Sequence, residues 1–415
     1  MSRPYTISGI DVGNSQIKVV IAKINGDGLK PEIIGWGNSV SNGLRRGVVV
    51  DMEETMENLR SAIQRAEAMA GFSIKRAYLT VNGLHINTQT SRGVIAVSRA
   101  DNEISQNDID RVIKAASVVS LPPNREIVHV IPKNFVVDGT EYVKNPLGMK
   151  GVRLEADVLI VDGLSPYLRN LIKCVNENNV EVAGLVYGPL ASSLAVLDKN
   201  QKEYGVIGLD FGGGTSSLIV FEEADLLHSA ILPIGSRHIT TDLAVLLRTS
   251  IDVAERIKLD YGSTSDAEDM RRRGEIDISE LVGEANFIIP KKQLIRVIDA
   301  RAQELFDVVN NELKKVVKSG ILPAGIVLSG GGVNLPGILA LAKEKLRLPV
   351  RIARPIHFEG MAEVVDDPAF SVAMGAVLWG MEQEMGSRYN TKTANALEGS
   401  DIARKFMAWL KNFLP

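Results

Sequence analysis

Cysteine is almost absent from this chain of 415 residues: Cys174 stands alone. A single thiol excludes an internal disulfide and a cysteine zinc cluster, and it suits a reducing compartment. Cys174 falls in the run Pro166 to Asn179, which predicts a helix carrying a buried structural thiol. Positive charge is not in surplus either. The net charge of −3 excludes a bulk basic surface for nucleic acid, so no nucleic-acid partner is expected. No apolar run approaches the roughly 20 residues that cross a bilayer as a helix. Met1 to Asp11 lacks the charged-then-apolar order of a secretory signal. The five histidines show no metal-ligand spacing. What remains is an ordinary globular composition, 45% apolar and 23% charged, long enough for two or three domains.

The clearest positive signal is a repeat. Gly9-Ile10-Asp11-Val12-Gly13-Asn14-Ser15-Gln16 has a counterpart in Gly208-Leu209-Asp210-Phe211-Gly212-Gly213-Gly214-Thr215, 199 residues later. Each is an apolar strand ending in aspartate, then a turn of small residues, then a second strand: a β-hairpin with a carboxylate at its mouth. Glycine lets backbone N–H groups approach an anion closely. Gly13 to Gln16 and Gly212 to Thr215 are therefore candidate phosphate cradles, with Asn14, Ser15 and Thr215 adding side-chain donors. An aspartate beside a phosphate repels it unless a cation lies between, so Asp11 and Asp210 are candidate Mg²⁺ holders acting through water.

A third glycine cluster, Gly330-Gly331-Gly332, follows the buried strand Gly325 to Ser329 and precedes a helix predicted over Ile338 to Leu346. Such a turn gives a nucleobase or ribose close access to backbone, or is simply a tight strand-to-helix connection. It is neither a Walker loop nor a Rossmann fingerprint.

Together the three elements resemble the actin, sugar kinase and heat-shock chaperone superfamily: two phosphate loops and an adenosine loop, in that order. Val186 to Leu197 resembles the helix connecting the two lobes. Ile127 to Lys133 followed by Lys144 to Leu154, Asp242-Leu243-Ala244 with Ala254 to Gly262, and Leu322 to Gly331 resemble the FtsA branch. The resemblance covers about Thr6 to Gly380. It implies an α/β actin-like ATPase fold, two lobes around a nucleotide cleft, with a βαββ insert in lobe one. It also implies ATP and Mg²⁺ as ligands, an adenosine site at Glu255, Lys258, Gly330, Gly331 and Gly332, and self-assembly. The implied partners are the FtsZ C-terminal tail, with Lys291, Lys292 and Arg301 as candidate contacts, and downstream division proteins at the septum.

Two departures bear on chemistry. Asn14-Ser15-Gln16 replace the Thr-Ser-Lys that the family often carries, leaving Lys18 as the nearest lysine, either on the phosphates or on the outer face of its strand. Gly188 stands where the chaperones place a glutamate, so no acid or amide there orients an attacking water, and hydrolysis is expected to be weak or absent. A pilus-assembly relative and a sugar or acid kinase of the same fold remain alternatives.

Along the chain, 1–83 and 162–200 read as lobe one and 84–161 as the insert, with strands Gly93 to Ser98, Glu126 to Pro132, Asn134 to Val137 and Val152 to Val161. Residues 201–235 and 320–384 read as lobe two, 236–319 as its helical subdomain and 385–400 as a polar linker. The helix predicted over Met52 to Ala70 has Asp51 as N-cap and Gly71 as its stop.

The segment 401–415 is amphipathic. Ile402, Phe406, Trp409, Leu410 and Phe413 share one helical face, with Arg404, Lys405 and Lys411 on the other. A helix of this length spans about 20 Å, too short for a bilayer core of about 30 Å. Its composition fits a helix lying in the interface of an anionic membrane, and the FtsA resemblance implies the inner face of the cytoplasmic membrane.

Overall fold

The computed structural model describes residues 4–26, 30–139, 141–264, 274–283, 286–316, 322–361 and 366–391. The expected linker 385–400 is described only as far as 391, where a helix ends. The amphipathic segment 401–415 and residues 265–273 lie outside the described residues.

Two sheets share one topology. In the first, Tyr5–Val12, Gln16–Ile24 and Glu32–Val40 form an antiparallel meander, and Arg76–Val81 and Glu181–Tyr187 add in parallel beside Tyr5–Val12. In the second, Val206–Phe211, Ser216–Glu222 and Asp225–Leu232 form the meander, with Ile326–Ser329 and Val350–Ile352 in parallel. The hairpin repeat of the sequence is thus the opening of a duplicated sheet. Strands at both centres are apolar on both faces because helices cover each side.

Local chemistry sets the covering helices. Met52–Ala70 starts where Asp51 accepts from the Glu54 amide and stops at Gly71, whose φ of 80° is left-handed. Its Leu59, Ala62, Ile63 and Ala66 are buried against Glu32–Val40. The approach is close enough that a β-carbon on Gly37 would lie 2.0 Å from the Ala62 carbonyl oxygen. Cys174 is fully buried in Ser165–Asn176, and burial pushes its thiol up to about 11, an inert structural group.

The insert is a four-stranded sheet with a helix, Gln106–Ser117, opened by a reciprocal Ser105/Asp108 cap. Two expected strands, Glu126 to Pro132 and Asn134 to Val137, are one strand, Arg125–Val137. The register shift opposite Asp157/Val158 absorbs Lys133 as a bulge rather than ending the strand. The insert also touches lobe two: Thr88 Oγ1 donates to the Ser229 carbonyl at 2.9 Å, and Lys133 Nζ to that of Leu227 at 3.3 Å.

The chain does not stay in lobe two to residue 384 as expected. After Val350–Ile352 it returns, Glu359–Gly360 extends the first sheet, and the helix Ser371–Thr391 packs on Tyr5–Val12 and on the connecting helix Gly188–Val196. Small residues permit that crossing. A β-carbon on Gly375 would meet the Ala191 carbonyl oxygen at 1.8 Å, and one on Gly9 the Ala373 oxygen at 2.3 Å.

Candidate functional site

The two hairpin turns face each other between the lobes. A β-carbon on Gly214 would lie 2.7 Å from Asn14 Cγ, so side-chain-free backbone is what lets the turns meet. Arg237, absent from the sequence-derived set, ties them together. Its amide donates to the Gly213 carbonyl at 2.8 Å and its Nη1 to the Asn14 carbonyl at 3.0 Å. Only its position just after the second meander could have drawn attention to it.

Within the turns the donors divide into used and free. The Gly13 amide closes its own turn onto the Gln16 carbonyl at 3.1 Å, and the Asn14 side-chain oxygen accepts from the Gly47 amide at 2.8 Å. These two expected contributors are spent on holding the loop. The amides of Asn14, Ser15, Gly213 and Gly214 have no hydrogen-bond partner among the described residues, which is the condition for an anion cradle. Thr215 is buried at the end of the second turn, while Gly212 and Gln16 frame it and the first turn respectively.

At the base of the turns stand the carboxylates. Asp11 is buried, accepts from Thr80 Oγ1 at 2.7 Å, and burial raises its pKa against the pull of Lys18 and Thr80. Asp210 is pushed up to about 6, by burial first and then by the Asp11 charge across the cleft, with Lys18 and Ser329 opposing. Lys18 lies directly opposite Asp11 in the hairpin register and is buried over the Phe370 ring, 5.9 Å from its centroid. It faces the cleft, not the outer face of its strand. Two hard oxygen donors that repel each other across the cleft, Asp11 buried and Asp210 half-buried, fit a divalent cation. Among the described residues no group of three or more His, Cys, Asp or Glu could hold a metal alone. The remaining ligands of such a cation would be water and phosphate oxygens.

Of the expected adenosine residues, Glu255 and Lys258 pair with each other on lobe two. Lys258 Nζ donates to Glu255 Oε2 at 2.7 Å and to Thr240 Oγ1 at 3.0 Å, joining the helices Ser236–Leu247 and Ile251–Tyr261. The glycine loop abuts the end of the second helix through Thr264, whose amide donates to the Pro336 carbonyl at 2.9 Å. The three glycines differ. Gly330, at φ 86°, and Gly332 are pressed against Asp210 and Phe211, and only Gly331 is open. The loop is therefore both a tight connection and a surface with one open glycine.

The expected partner contacts separate. Arg301 is already held by a two-pronged pair with Asp242, at 2.7 and 3.0 Å, and by Glu304. That pairing raises its pKa. Lys291 and Lys292 open the long helix Lys291–Val316, with Lys292 exposed.

Two family models match the chain: "SHS2 domain inserted in FTSA" over residues 83–162 and "Cell division protein FtsA" over 207–375. The cell division protein FtsA of Borreliella burgdorferi is 35% identical over 410 residues, 99% of this chain and 98% of that protein. The chain belongs to the FtsA family of cell division proteins. FtsA of Bacillus subtilis is 37% identical over 371 residues, 89% of this chain and 82% of its own length. Solved structures extend the fold beyond the family. The PilM–PilN type IV pilus biogenesis complex matches with a TM-score of 0.63 at 15% identity, over 90% of this chain and 98% of its own. MreB5 of Spiroplasma citri bound to ADP matches at 0.54 and 15% identity, over 94% and 99%. At such identity they show the actin-like fold alone. The FtsA relatives decide the branch against a pilus-assembly protein or a kinase.

Proposed function

We propose that this FtsA-family chain binds Mg²⁺–ATP between its lobes and assembles with copies of itself on the cytoplasmic face of the inner membrane. There it tethers FtsZ filaments at the division septum. The observation that carries the nucleotide reading is the apposition of two matched turns with free amides over the buried Asp11 and the half-buried Asp210. The amides of Asn14, Ser15, Gly213 and Gly214, with Lys18, hold the phosphates. Glu255, Lys258 and Gly331 hold the adenosine, and Asp11 and Asp210 position Mg²⁺ through water, which shields the phosphate charge. A solved relative in fold, MreB5, is bound to ADP in the same architecture.

Attachment rests on the segment 401–415. Ile402, Phe406, Trp409, Leu410 and Phe413 enter the lipid interface and Arg404, Lys405 and Lys411 face anionic headgroups. One short helix binds weakly, whereas a polymer presenting many binds tightly through avidity. The FtsZ tail docks on the helical subdomain of lobe two near Lys291 and Lys292, and downstream division proteins join through the family's shared role. Hydrolysis is weak or absent, because Gly188 offers no acid to a water.

The test is sedimentation of the protein with anionic vesicles, with and without ATP and FtsZ. ATP-promoted pelleting of both proteins together is expected. FtsZ remaining in the supernatant while this protein pellets would overturn the tethering role.

A further inference from the structure

We infer that the carboxamide of Asn82 reads the terminal phosphate of the bound nucleotide, so that the cleft separates a nucleoside triphosphate from a diphosphate. The inference rests on the ATP reading above and adds the residue that discriminates. Asn82 directly follows the strand Arg76–Val81. Residues 80 and 82 fall on one face of an extended chain, and on that face Thr80 donates to Asp11. Asn82 also lies against the first residue of the connecting helix: a β-carbon on Gly188 would be 1.8 Å from Asn82 Oδ1 and 2.4 Å from Nδ2. The side chain is half-buried, and its amide has no hydrogen-bond partner among the described residues.

The position fixes which phosphate it meets. The adenosine side of the cleft, with Gly331, Glu255 and Lys258, belongs to lobe two, so the phosphate chain runs from there past the paired turns toward lobe one. Asn82 and Gly188 are at that far end, beside the Thr80–Asp11 pair. A neutral carboxamide suits it, because its N–H donates to an anionic oxygen without the repulsion an acid would bring. Glycine at 188 acquires a positive reason as well: it is the space into which the Asn82 carboxamide fits. A diphosphate has no group there.

Titration calorimetry with Mg²⁺–ATP and Mg²⁺–ADP tests this on the full chain, with melting temperatures confirming that each variant is folded. Asn82→Ala is expected to weaken ATP binding roughly tenfold, the scale of a lost hydrogen bond to a charged group. ADP affinity should change by less than about twofold. Gly188→Ala, whose methyl group displaces the carboxamide, should do the same, and the double variant should be no worse than either single one, since both act through one group. Asn82→Asp, which keeps the shape and adds a charge, should lower ATP affinity further. Equal losses for the two nucleotides, an unchanged ATP-to-ADP ratio, or additive effects in the double variant overturn the assignment while leaving ATP binding intact. A wild-type chain that binds neither nucleotide overturns the ATP reading itself.

Discussion

Ser15 and Gly213 meet across the cleft: a β-carbon on Gly213 would lie 2.0 Å from the Ser15 hydroxyl oxygen and 2.8 Å from its β-carbon. The turns of the two lobes are at contact distance because position 213 carries no side chain. Gly213→Val should force them apart and abolish ATP binding measured by calorimetry. Ser15→Gly placed on a Gly213→Ala background should restore part of it by removing the obstructing hydroxymethyl group. Affinity within about twofold of wild type in Gly213→Val would show that the phosphates do not sit between these turns.

The Asp210 carboxyl, raised to about 6 from an ordinary 3.8, is a cost built into the cleft. An acid with a raised folded pKa holds its proton more readily in the folded chain than in the unfolded one. Between about pH 4 and 6 this group therefore adds stability as pH falls and withdraws it as pH rises. Asp210→Asn should raise the melting temperature of the nucleotide-free protein at neutral pH and flatten that part of its pH profile. It should also weaken Mg²⁺-dependent ATP binding. A melting temperature that drops at neutral pH would mean the carboxylate is stabilising, not strained.

Arg301 and Lys292 should behave differently on truncation. Arg301→Ala breaks a two-pronged pair with Asp242 and should lower stability by about 1 kcal/mol, read by denaturant titration. Lys292→Ala, at an exposed position, should leave stability unchanged and reduce affinity for the FtsZ C-terminal peptide. Fluorescence anisotropy with that peptide separates the two effects. Unaltered peptide affinity in Lys292→Ala would move the docking face elsewhere.

Trp409→Glu puts a charge into the apolar face of the segment 401–415 and should release the protein from anionic vesicles in a sedimentation assay. Pelleting equal to wild type would show that attachment lies in another part of the chain.

The sequence by itself determined the duplicated hairpins, the capped helix Met52–Ala70 and the insert. Each is written in local pattern: apolar period, glycine turns, capping residues. Lys133 shows where pattern stops, since a polar residue after Pro132 reads as a strand break, yet pairing with Arg153–Leu164 holds both halves as one bulged strand. Only the tertiary structure decided that Ser371–Thr391 packs on lobe one, that Arg237 clasps the two turns, that Arg301 is already paired, and that Asn82 fills the space above Gly188. These contacts join residues as far apart as 59 positions for Asp242 and Arg301 and 364 for Gly9 and Ala373, and their partners are chosen by how the sheets and helices stack. No window of sequence contains both members of such a pair.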